Sequence, residues 1–181
     1  LINNSLIDLD RLESLVDNIL FAAKIERDHP GFSNEEVNIS EIVHRITERF
    51  SQNKKAIVIE TDVQPEVYMK VDIIGFTSVI TNLVENAIKY SESGTAMKVI
   101  LKEQEENILL MVKDNGIGIS NEEKPRVFDK FYRVGNEDTR RTKGTGLGLY
   151  IVKRIAEIYK ADISIEDNTP TGSVFKLSFP K

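Results

Sequence analysis

Four short stretches of this sequence gather residue types that handle phosphates and flat rings. In NLVENAIKYS (82–91), a helix would place Asn82, Glu85, Asn86, Lys89 and Tyr90 within about 140° of one another. Ile80, Leu83, Val84, Ala87 and Ile88 would fill the opposite arc. A carboxamide oxygen is a hard ligand suited to Mg²⁺, and a lysine ammonium is a point charge for phosphoryl oxygens. A solvated helix face with ordinary i,i+3 and i,i+4 pairs would show the same pattern.

KDNGIGI (113–119) sets Asp114 at a strand end, where its carboxylate could accept from an exocyclic amine. Gly116 and Gly118 would let backbone approach a ring without a Cβ in the way, and a plain tight turn is the alternative. RVFDKFYRV (126–134) interleaves Phe128, Phe131 and Tyr132 with Arg126, Lys130 and Arg133, which suits either a core-facing aromatic cluster or a cover whose cations meet phosphates. GTGLGL (144–149) lacks the Lys-Ser/Thr of a P-loop and the glycine spacing of a dinucleotide fingerprint. Its glycines open a helix, where free N–H groups and the helix dipole favour an anion, helped by Arg140, Arg141 and Lys143. A flexible hinge is the other reading.

Positioning these stretches takes helices and strands in alternation. Apolar residues from Ile2 to Ala23 recur with helical period, with a seam at Ile2, Leu9, Val16 and Ala23, so one long amphipathic helix of bundle type opens the chain. RDHPGFSNEE (27–36) reads as a linker through Pro30 and Gly31. A short strand is expected at Val37–Ile39, then a helix capped by Ser40 and running to about Asn53, then a β-rich stretch at 56–63. A second helix spans about Asp72 to Ser91, and a break follows at Glu92–Gly94. Residues 96–114 alternate as a hairpin, a helix runs from about Gly146 to Tyr159, and strands close the chain near 161–167 and 173–179. The class is α+β, a sandwich of one sheet with helices on one face.

Composition narrows the partners. The 181 residues carry a net charge of -5, which argues against direct binding of nucleic acid. Between Glu122 and Arg154, however, nine Lys/Arg stand against five Asp/Glu, a local basic segment able to attract a polyphosphate. The absence of cysteine excludes disulfides, thiol nucleophiles and thiolate metal sites, and suits the cytosol. No apolar run approaches the length of a membrane span, and no signal-peptide pattern is present. Because it begins at Leu1, the sequence reads as a piece of a longer chain.

The order amide-rich helix, Asp-Gly turn, aromatic segment, glycine loop is more specific than any one stretch. In that order the chain resembles the ATP-binding catalytic part of bacterial sensor histidine kinases of two-component systems, in the GHKL superfamily with DNA gyrase, MutL and the ninety-kilodalton heat-shock chaperone. NLVENAIKYS is similar to the N box, DNGIGI to G1, FDKFYRV to the F box and GTGLGL to G2. Residues 37–181 resemble the catalytic domain, residues 1–28 the second helix of the dimerisation and phosphoacceptor hairpin, and 29–36 the linker between them. The implied fold is a Bergerat-type two-layer α/β sandwich, its mixed sheet covered on one face by helices.

The resemblance implies ATP and Mg²⁺ as cofactors. Asn86 would be the Mg²⁺ ligand, Asn82 and Lys89 would lie near the phosphates, and Tyr90 beside the nucleotide. Asp114 would take the adenine amino group, flanked by Gly116 and Gly118. Residues from about Asn121 to Thr145 would form a lid, with Phe131 of the F box against the nucleotide and Arg133, Arg140, Arg141 or Lys143 meeting phosphates. Gly144, Thr145, Gly146, Leu147 and Gly148 would complete the cradle. Asn82 stands where the superfamily's ATPases carry the Glu that activates water, and a carboxamide takes no proton, so transfer is favoured over hydrolysis. Glu85, the nearest carboxylate, would orient its neighbours.

The family's acceptor segment is missing. His29 precedes Pro30, and His44 lies in SEIVHRITERF; neither has the acidic neighbour expected after an acceptor. The chain is therefore expected to bind ATP and ADP without phosphorylating itself. The implied partners are the absent hairpin helix, a second protomer and a response-regulator receiver domain, in the cytoplasmic part of a membrane-anchored sensor. A stripe at Leu6, Leu9, Leu12, Val16, Ile19 and Leu20 would be left partly uncovered, prone to fraying or to pairing between chains. Rival readings are a serine/threonine kinase of the anti-sigma type, a non-catalytic nucleotide-gated module and, most weakly because of Asn82, a gyrase-like ATPase.

Overall fold

The computed structural model describes residues 16, 18–27, 31–134 and 144–181. In chain order these form a helical segment α1 over 18–25, then β1 (Glu35–Asn38), α2 (Ile39–Phe50), β2 (Val58–Val63), β3 (Tyr68–Val71), α3 (Ile73–Tyr90), β4 (Ala96–Glu103), β5 (Asn107–Lys113), α4 (Gly148–Ile158), β6 (Asp162–Asp167) and β7 (Ser173–Pro180).

The main sheet has five strands in the order β2-β4-β5-β7-β6, with β2 parallel to β4 and the other neighbours antiparallel. Period-2 alternation turns Met97, Val99 and Leu101 of β4, Ile108, Leu110 and Val112 of β5, and Phe175, Leu177 and Phe179 of β7 into one core. That core is completed by Phe76, Ile80, Leu83 and Val84 of α3 and by Ile151, Val152 and Ile155 of α4. The expected sandwich is thus the observed one, with a mixed sheet and helices against its apolar face. No helix among the described residues is long and apolar enough to cross a membrane.

Three local expectations need correction. Ser40 is not a helix cap: α2 starts one residue earlier, and the Ser40 hydroxyl instead donates to the Gln64 carbonyl (2.6 Å) and accepts from Val67 N–H (3.1 Å). The first strand lies at Glu35–Asn38 and joins no part of the main sheet. It pairs with β3 in a separate two-stranded ribbon, and β3 carries too short an apolar pattern to stand out in the sequence. The last helix begins at Gly148, two residues after the expected start.

The opening helix has two faces. Phe21, Ala22 and Ile25 pack on the domain, with Phe21 stacked on Phe32 at 6.2 Å between ring centroids. Val16, Ile19, Leu20 and Ala23 project on the opposite side and are exposed. The rest of the expected stripe, Leu6, Leu9 and Leu12, lies outside the described residues, as do His29, Arg140, Arg141 and Lys143.

Candidate functional site

Helix α3 is pinned at both ends. Asp72 caps its start, its carboxylate accepting from Gly75 N–H (2.8 Å) and from the Ser33 backbone N–H (3.1 Å) and hydroxyl (3.2 Å). At its far end the Lys55 ammonium donates to the carbonyls of Lys89 (2.6 Å) and Ser91 (2.8 Å), a cation on the negative end of the helix dipole. The apolar face of α3 is thereby fixed against the sheet, and its amide-bearing face looks into the space before α4.

The Asp114 turn is tied to the end of α3 and to the β6–β7 connection. Ser91 bridges Gly116, and a Cβ on Gly116 would stand 2.8 Å from the Tyr90 carbonyl oxygen, so only glycine lets the two segments close. Asp114 Oδ1 accepts from Gly116 N–H (2.8 Å) and Ser173 N–H (3.2 Å), and Thr171 donates to the Gly116 carbonyl (2.8 Å). Gly172, at φ +116°, runs so close that a Cβ would lie 2.0 Å from the Asp114 carbonyl oxygen. Asp114 is only 5% exposed, and burial holds its carboxyl above the usual carboxylate range despite the two N–H donors that favour its charge.

Between α3, this turn and the start of α4 lies a cleft with two lobes. One, a cavity of about 230 Å³, is lined by Asn82, Glu85, Asn86, Lys89, Tyr90, Arg133, Gly144, Thr145, Gly146 and Gly148, and also by Asn18 of α1. The other, about 90 Å³, is more apolar: Ile117, Gly118, Ile119, Val127, Leu149 and Phe175 surround Asp114. Asn86, Tyr90, Val127, Tyr132, Arg133 and Leu149 border both lobes. A flat heterocycle with an amine fits the apolar lobe, and an anion fits the lobe with the ammonium, the amides and the helix N-terminus.

The glycine stretch has a packing reason as well as an electrostatic one. A Cβ on Gly148 would stand 2.6 Å from Asn82 Oδ1. Gly146, at φ +75°, lies against the Phe131 backbone, whose N–H donates to its carbonyl (3.1 Å). Among the described residues, the expected ones converge with three exceptions. Phe131 is 58% exposed and borders neither lobe, meeting the site through its backbone. Leu147 is buried in the core, and Gly116 backs Asp114 without lining the cleft. Glu85 sits at the rim, and partial desolvation raises its carboxyl pKa against the pull of Arg49 and Lys89.

Sequence reading missed Lys55, the Thr171-Gly172-Ser173 turn and Asn18. The first two act from far along the chain; the Pro170-Thr171-Gly172 run was the turn's only local signal, and Lys55 had none. Among the described residues no cluster of three or more His, Cys, Asp or Glu could cage a metal. Mg²⁺ bound through a nucleotide asks less of the protein, since it keeps several waters and the phosphates as ligands, and the half-buried Asn86 carboxamide suits that share.

Comparison with known proteins agrees with this geometry. The pattern of histidine kinase-, DNA gyrase B-, and HSP90-like ATPases matches residues 71–181. The chain is 32% identical over 177 residues to the sensor histidine kinase WalK of Bacillus subtilis, covering 96% of this chain and 29% of that protein. It is 38% identical over 143 residues to the sensor-like histidine kinase SenX3 of Mycolicibacterium smegmatis, covering 79% of this chain and 37% of that protein. The chain thus spans about a third of the length of these relatives. Among solved structures, the mycobacterial sensor histidine kinase MprB shares 28% identity at TM-score 0.71, covering 81% of this chain and 97% of that one. The catalytic domain of histidine kinase ThkA shares 26% identity at TM-score 0.71 with the same two coverages, 81% and 97%.

Proposed function

We infer that this chain, which belongs to the family of histidine kinase-, DNA gyrase B- and HSP90-like ATPases, is the ATP-binding catalytic portion of a sensor histidine kinase. It would hold ATP for attack by a histidine nitrogen on a helix supplied from elsewhere in the longer protein. The nitrogen forms a bond to the γ-phosphorus, the bond to the bridging oxygen breaks, and ADP departs with that electron pair. A response-regulator aspartate then takes the phosphoryl group.

The observation that carries this reading is the state of Asn82. Its Nδ2 donates to the Ser78 carbonyl (2.8 Å) and hydroxyl (3.2 Å), and Oδ1 faces the start of α4. A carboxamide held this way orients neighbours but accepts no proton from water, so the site favours transfer over hydrolysis. Asp114 would accept from the adenine amino group, while Lys89, Arg133 and the Gly144–Gly148 backbone would meet phosphoryl oxygens. Mg²⁺, with Asn86 as its protein ligand, would supply charge neutralisation on the phosphates.

The same reading assigns residues 1–28 to the second hairpin helix, 29–36 to the linker and 37–181 to the catalytic domain, in the cytoplasmic part of a membrane-anchored sensor. The exposed row Val16, Ile19, Leu20 and Ala23 supports a helix partner, from the same hairpin or a second protomer. With γ-labelled Mg-ATP, acid-labile label should appear only when the chain is mixed with a bundle carrying the acceptor histidine, and never on the chain alone. Steady release of phosphate by the chain alone, lost on Asn86→Ala, would instead make it an ATPase.

A further inference from the structure

The helix that precedes the ATP-binding domain reaches into its cleft. At 100° per residue, Asn18, Phe21, Ala22 and Ile25 share the face of α1 opposite the exposed row Val16, Ile19, Leu20 and Ala23. Ala22 and Ile25 are each 1% exposed, so this face is docked. Its end is fastened by Glu26, whose Oε1 accepts from Lys130 Nζ (2.7 Å) in the aromatic segment and from the Tyr150 hydroxyl (2.6 Å) in the first turn of α4. Glu26 therefore grips both sides of the glycine loop. Two helical turns back, about 12 Å along the axis, Asn18 lines the polar lobe beside Asn82, Lys89 and Gly144.

Asn18 borders only that lobe and not the one around Asp114. Resting on the ATP reading above, we propose that Asn18 is a nucleotide contact supplied from outside the ATP-binding domain, its carboxamide donating to the terminal phosphoryl group of ATP. The placement follows from the two lobes: with the base at Asp114, the far phosphate is the part of the ligand nearest α1. A carboxamide offers two N–H donors to an anionic oxygen without adding charge to a lobe that already holds Lys89 and Arg133. The contact would make the seating of α1 depend on whether the triphosphate is present.

The test is titration of the whole chain with ADP and with a non-hydrolysable ATP analogue, both with Mg²⁺, in wild type and Asn18→Ala. Loss of one phosphate hydrogen bond should weaken the triphosphate about tenfold and leave ADP within about twofold. Glu26→Ala, which frees α1 from Lys130 and Tyr150, should give the same selective loss. Retained ADP affinity serves as the folding control. The inference is overturned if Asn18→Ala weakens both nucleotides alike or neither. Failure of the wild type to bind either nucleotide would sink the ATP reading itself.

Discussion

The two walls of the cleft are built differently. The wall of α3 and the Asp114 turn is cross-tied by buried or half-buried hydrogen bonds: Asp72 at one end, Lys55 at the other, and Gly116, Thr171 and Ser173 behind the carboxylate. The facing wall, residues 126–134 with the glycine stretch, is anchored by buried Val127 and Leu147 and by the Phe131–Gly146 backbone hydrogen bond, but its other ring and cation contacts lie at the surface. Arg126 lies over the Tyr132 ring at 4.3 Å and Lys130 over Phe131 at 5.7 Å, while the Tyr132 hydroxyl bonds Glu123. Phe131 and Val134 are exposed. On this contrast the first wall is expected to hold its shape without ligand, and the second to tighten when ligand binds. On the proposed reading, base recognition would cost little reorganisation, whereas the arrangement around the phosphates would answer to which nucleotide is present.

The comparison breaks most readily at Asp114. Asp114→Asn keeps an oxygen for the Gly116 and Ser173 N–H groups but, on the proposed reading, would offer the adenine amino group a donor where it needs an acceptor. Nucleotide affinity should fall on the order of a hundredfold, read by calorimetric titration. Stability should move the other way. Because the folded-state pKa is raised, the ionised carboxylate costs stability once pH rises through that value, so the neutral amide should leave the thermal midpoint of the free protein unchanged or higher.

Gly172→Ala attacks the same wall from behind. A Cβ there meets the Asp114 carbonyl at 2.0 Å in a backbone conformation side chains rarely adopt, and denaturant unfolding should show a loss of roughly 2–4 kcal/mol. A pH titration sharpens the comparison further. As pH falls, Asp114 takes up its proton earlier than an ordinary aspartate, so wild-type affinity should drop severalfold in that range, and the slope should vanish in Asp114→Asn. The smallest effect belongs to Lys55→Met, which keeps the apolar stem but removes the cation from the end of α3. A loss of about 1 kcal/mol is expected, with Lys55→Arg recovering part of it.

Legibility in the sequence followed the same division. The polar stripe of α3 and the alternation of β4, β5 and β7 were readable because burial imposes periods of 3.6 and 2 on contiguous residues. Asp114, Gly118 and the glycine stretch were readable because a turn or close approach restricts residue type. β3 was not, since four residues in a two-stranded ribbon carry too little pattern. Ser40 looked like a cap because its hydroxyl could serve either role, and only the tertiary neighbours Gln64 and Val67 decide between them. Lys55 and Thr171 act across separations that no local pattern records, 34 and 55 residues to their respective carbonyl partners.

Amide hydrogen exchange, with and without Mg²⁺ and a non-hydrolysable ATP analogue, tests the contrast between the walls most directly. The account predicts that amides at the end of α3 and in the Asp114 turn are well protected without ligand and change little. Residues 126–134 and 144–148 should start poorly protected and slow at least tenfold when the analogue binds. Equal gains on both walls, or a wall at Asp114 that exchanges freely until the analogue arrives, would contradict it.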